Sequence, residues 1–114
     1  MSGDLSPSKM RMKLMHDFES FKQIPFPDPP DSDVLHDLWT ELVELDGYVA
    51  GLVSSFLSGS RVNLNHLNAD RNLGLGLNNY VAQSEQEDMQ LAKCRAYKAQ
   101  LDSLVDCLRN SLLG

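Results

Sequence analysis

Seven apolar residues constrain this chain more than any others. Leu35, Leu38, Leu42, Leu45, Val49, Leu52 and Phe56 recur at alternating spacings of three and four. That period is helical, and it fills every a and d position of three heptads. Trp39 and Val53 widen the stripe on one flank and Tyr48 on the other. The pattern predicts a long amphipathic helix over 32–58, capped by Asp31 or Ser32, with Asp33 at the positive end of the macrodipole and Gly59 placed to end it. A seam this regular packs against another helix at a shallow crossing angle.

A second long helix is expected over 80–113, with Leu91, Cys94, Tyr97, Leu101, Leu104, Val105, Leu108 and Leu112 on one face. Asn78 or Asn79 could open it. Ser84-Glu85-Gln86-Glu87 is the stronger start, because it matches the capping box and Asp88 adds to an acidic first turn. All five prolines fall at or before residue 30, which divides the chain into an N-terminal arm (1–31) and a body (32–114). In the arm, Ser6-Pro7 reads as a helix start, and Met10, Leu14, Phe18 and Phe21 mark the apolar side of a helix near 7–23. Pro25 stops it, since the residue before a proline is pushed out of the α region. Pro25-Phe26-Pro27-Asp28-Pro29-Pro30 then forms an extended strap with Phe26 as its large apolar anchor.

The expected fold is all-α: an antiparallel hairpin of the two long helices plus the N-terminal helix, completed into a bundle by dimerisation. Two hairpin helices leave apolar surface uncovered, and a second copy would cover it. The self-association seam expected on this reading is Leu38, Leu42, Leu45, Leu101, Leu104 and Leu108. Residues 59–79 carry six asparagines but are too apolar for a free linker, so a packed loop is expected, with one helical turn near 68–73. Gly47 and Gly51, continued by Ser54 and Ser58 and joined by Ala50, form a small-residue line away from the leucines. Interior glycines each cost about 1 kcal/mol against alanine. Their spacing therefore suggests close approach of another helix.

Net charge is −6, which argues against a nucleic-acid backbone as partner. Residues 32–58 hold Asp33, Asp37, Glu41, Glu44 and Asp46 with no lysine or arginine. Such a helix pairs with basic groups elsewhere in its own chain or subunit, or it meets a basic protein partner. Cys94 and Cys107 lie on one expected helix, about 19 Å apart, too far to bond to each other. Reduced thiols, no apolar run of membrane-spanning length and no secretory signal make the cytoplasm the expected compartment, with no membrane partner.

Two constellations bear on catalysis. Glu41-Leu-Val-Glu44 and Glu85-Gln-Glu-Asp88 put carboxylates one helical turn apart, as a Mg²⁺ site requires. They resemble the acidic pairs of all-α nucleotide pyrophosphohydrolases, and the resemblance implies a metal-dependent enzyme using Glu41, Glu44, Glu85 and Asp88. Against it, the pairs are some forty residues apart, and an amphipathic face and helix capping already account for them. Arg61-Val-Asn-Leu-Asn-His66 resembles the R-x₄₋₆-H pattern of HEPN-type helical ribonucleases, but it falls in an expected loop of an acidic chain. His16, His36 and His66 are otherwise scattered, without zinc spacing, and no phosphate-binding glycine motif is present. The expectation is therefore a non-enzymatic helical protein acting through self-association and protein–protein binding. No metal and no cofactor are expected.

Overall fold

The computed structural model describes residues 7–68 and 75–113. Every regular element in them is helical: α1 (Pro7–Phe21), α2 (Asp33–Leu57), α3 (Leu64–Asn68), α4 (Leu75–Asn79) and α5 (Glu85–Leu113). The expected cap at Ser6 and most of the helical turn expected at 68–73 lie outside the described residues. Ser32 caps α2, its Oγ accepting from Leu35 N at 3.5 Å. At the other end Gly59 adopts φ +94°, and Ser60 N donates back to Ser55 O at 2.8 Å. Only glycine enters that backbone region without strain, which is why the helix stops there.

The two candidate starts of α5 resolve in favour of Ser84. Its Oγ accepts from Glu87 N at 3.1 Å. Glu87 reaches back one residue beyond the cap, accepting from Gln83 N at 2.8 Å and from the Tyr80 hydroxyl at 3.0 Å. Asn78 and Asn79 belong instead to the end of α4.

The chain direction differs from the expected antiparallel hairpin. Gln86 at the start of α5 donates to Asp31 at the start of α2 (3.1 Å), and Tyr97 donates to Asp46 at mid-length (2.7 Å). Val62, just past the end of α2, and Leu112, in the last turn of α5, line one shallow hollow. The long helices are therefore parallel. It is α1 that runs against them: its first turns meet the end of α2 through Arg11, and its last residue stacks on Tyr97 of α5. The leucine period fixes which faces meet but is blind to direction. Residues 58–84 are long enough to return the roughly 38 Å length of α2.

That return also explains why 59–79 is so apolar. Its described parts, 59–68 and 75–79, lie beside α2 and α5, with the Tyr48 hydroxyl on His66 O (2.6 Å) and the Arg95 guanidinium on Leu77 O (2.6 Å) and Tyr80 O (2.8 Å). At Gly76 the backbone comes so close to Leu38 that a β-carbon there would collide with its Cδ2. Leu67 and Leu77 are buried on the way. Helices α3 and α4 thus both pack against α5.

Helix α5 lies at the centre. Leu14, Phe18 and Phe21 of α1 join Leu35, Leu42, Leu45, Val49 and Val53 of α2 around Leu91, Leu101, Leu104 and Leu108. The strap crosses the body as its composition suggests. Phe26 sits 4.8 Å from the ring of Tyr97 and 5.8 Å from that of Trp39, and Trp39 Nε1 donates to Pro27 O at 2.9 Å. The molecule is elongated, 51 × 26 × 21 Å.

Candidate functional site

The six leucines expected to form a self-association seam are inside the chain's own core. Leu42, Leu101 and Leu108 have no exposed surface, Leu45 and Leu104 are buried, and Leu38 is partly buried against the core beside Gly76. They are not available to a second copy, because the crossover segment and α1 cover the surface that the hairpin would have left open. The close approach expected at Gly47 and Gly51 is not found among the described residues. Both are exposed, and a β-carbon built on either meets nothing within 4 Å. Among the described residues no helix approaches them.

The four carboxylates of the metal reading stay apart. Glu44, Glu85 and Asp88 are exposed and Glu41 half-buried. Because Asp31 and Gln86 are level, Glu41 and Glu44 lie about 16 Å further along the bundle than Glu85 and Asp88. Among the described residues no three His, Cys, Asp or Glu side chains stand close enough to hold a metal ion. His66 and Arg61 are both exposed, and His66 Nδ1 accepts from Asn63 N at 3.3 Å in the turn that opens α3. Cys94 and Cys107 are free and buried, and burial pushes both thiols up from their ordinary pKa. That keeps them protonated and unreactive at neutral pH.

Four of the five acids of α2 divide into two groups. Asp46 turns inward and accepts from Tyr97. Asp33, Asp37 and Glu44 are exposed. At helical spacing they make one ridge, with Val34 (54% exposed) and Val43 (41%) on its two flanks. Among the described residues the ion pairs are Lys13–Asp17, Lys22–Glu19, Lys98–Asp102 and Arg109–Asp106, all within α1 or α5 or their ends. None reaches the ridge. Two of the bases are engaged elsewhere: Arg11 caps the C-terminal carbonyls of α2, and Arg95 donates to Leu77 O of α4 and to Tyr80 O.

Two of the concavities along α5 are mainly apolar. One, of about 490 Å³, lies between the strap (Ile24, Pro25, Phe26, Pro27, Asp28) and Lys93, Ala96, Tyr97 and Gln100 of α5. The other, of about 220 Å³, lies between α2, α3 and α5 and is lined in part by Lys98. Lys98 escaped the sequence reading, although a signal was there. It falls on the face of Leu91, Leu101 and Val105, one turn after Cys94, where a solvated lysine has no place.

No protein family, curated protein or solved structure matches this chain. No helix among the described residues is long and apolar enough to cross a membrane.

Proposed function

We propose that this protein is a non-enzymatic helical binding module whose α2 ridge (Asp33, Asp37, Glu44) docks a basic segment of a partner protein. The observation that carries the reading is that these three exposed acids have no ion-pair partner among the described residues. Val34 and Val43 add apolar area beside the charges. Charge steers such an encounter and selects the partner, while the flanking valines contribute burial.

The test is affinity capture with the wild type and with the triple variant Asp33→Lys, Asp37→Lys, Glu44→Lys. All three positions are exposed, so circular dichroism should be unchanged. The partners held by the wild type should carry a lysine- or arginine-rich segment, elute as salt is raised, and be missing from the variant. Equal recovery by both proteins would sink the reading.

Self-association, the other half of the expectation, no longer has the leucine seam to use. Its remaining apolar material on α1 is Met12 (64% exposed) and Met15 (50%). Light scattering on the isolated chain is expected to give the 12.7 kDa of one copy. Twice that mass would place a dimer on one of the exposed faces.

A further inference from the structure

Two charged side chains of opposite sign line the cavity between the strap and α5, Asp28 on the strap wall and Lys93 on the helix wall. Both are exposed, and no ion pair joins them to each other or to any other described residue. The smaller cavity along α5 is different. There the charges are already matched, Lys98 with Asp102 and Arg109 with Asp106.

The remaining wall of the strap cavity is mainly hydrocarbon. Phe26 is half-buried and meets the Tyr97 ring edge-on at 4.8 Å, with Ile24, Pro25 and Ala96 beside them. The strap is held in place from behind, because Trp39 packs on Phe26 and its Nε1 donates to Pro27 O. The wall is therefore formed before any ligand arrives, as small-molecule sites usually are. Ring edges and faces offered in this way suit an aromatic ring in the occupant.

Charge then selects the other end of the ligand. An anion drawn to Lys93 would meet the like charge of Asp28, and a cation drawn to Asp28 would meet Lys93. A group bearing both signs satisfies both walls at once. An α-amino acid carries its ammonium and carboxylate on one carbon, and the flexible stem of Lys93 lets its ammonium adjust to such a head group. The volume of about 490 Å³ falls within the range of about 300–1,000 Å³ typical of ligand sites. It also exceeds the roughly 150 Å³ that accommodates a benzene ring. We propose that this cavity binds a free aromatic α-amino acid, its ring against Phe26 and Tyr97, its ammonium on Asp28 and its carboxylate on Lys93. The site does not rest on the acidic ridge, since Asp33, Asp37 and Glu44 lie outside the cavity.

The probe is L-phenylalanine, titrated into the full chain at neutral pH by calorimetry and by thermal unfolding. Hydrocinnamate lacks its ammonium and phenethylamine lacks its carboxylate, and neither adds bulk. Millimolar phenylalanine should release binding heat and raise the midpoint with concentration, as a ligand of the folded state must. Each control should bind about threefold more weakly, the worth of one exposed ion pair. Asp28→Asn should erase the preference over hydrocinnamate, and Lys93→Gln the preference over phenethylamine. Ala96→Trp should fill the cavity and abolish binding with both charges in place. All three positions are exposed, so circular dichroism should be unchanged. The proposal is overturned if phenylalanine gives neither heat nor shift. Equal binding of either control to the wild type would reduce the site to an apolar patch and overturn it too. Undiminished binding and unchanged preference in any of the three variants would have the same consequence.

Discussion

Tyr97 is the residue on which four segments converge. Its ring meets Phe21 of α1 and Phe26 of the strap, and its hydroxyl crosses from α5 to Asp46 of α2. Burial first, and the bond to Asp46 second, hold its pKa above the ordinary value near 10. A raised pKa means the folded state keeps the proton more tightly than the unfolded chain. The stabilisation is therefore complete below pH 10 and is lost as pH rises beyond it. Tyr97→Phe leaves the half-buried Asp46 without this donor, and should destabilise the protein by about 1–2 kcal/mol at neutral pH. Urea melts at pH 7, 9 and 11 should also show a shallower alkaline decline in the variant. An unchanged decline would mean that the phenol does not carry this linkage. The sequence pattern placed Tyr97 on the apolar face of its helix, but its hydroxyl partner lies 51 residues away, beyond the reach of any local period.

At the scale of an element, α2 shows why a pattern can be legible and its cause not. The heptad seam, the Ser32 cap and the Gly59 stop all follow from local chemistry, and the helix runs within a residue of where they place it. The line of Gly47, Gly51, Ser54 and Ser58 is equally visible in the sequence, yet spacing alone cannot tell a covered groove from an open one. Here it is open. With nothing within 4 Å of either added β-carbon, Gly47→Ala and Gly51→Ala should each stabilise the isolated chain by up to about 1 kcal/mol, through helix propensity and a less mobile unfolded state. Thermal midpoints of the two single variants and the double variant measure this directly. A fall in either would mean that another surface presses on these glycines in solution. The start of α5 is the contrary case. Ser84 and Asn78–Asn79 compete in the sequence, and the capping box wins because Ser84 and Glu87 together satisfy the backbone N–H groups of Glu87 and Gln83.

For the whole molecule the deciding quantity is chain direction, and no periodicity carries it. A leucine stripe looks the same read up or down, and a return of residues 58–84 allows either arrangement. What tips the balance is where the crossover can bury its own leucines. Its described parts, α3 and α4, put Leu67 and Leu77 into the core beside α5. A tight hairpin would instead leave those leucines in solvent and the long helices bare on one side, the situation that makes a dimer attractive. Spin labels separate the two topologies. Cys94 and Cys107 are buried and protonated, so exposed cysteines introduced by Asp33→Cys and Asp88→Cys should take up the label selectively. With α2 and α5 parallel, these labels share one end of the bundle and should report a separation below about 20 Å, one helix-to-helix spacing plus the label arms. An antiparallel hairpin would hold them at opposite ends, roughly 38 Å apart. Moving the second label from Asp88 to Asn110 must reverse the result, with the long distance in the parallel fold. A short distance for the 33–110 pair would refute the crossover, and with it the assignment of the six leucines to this chain's own core.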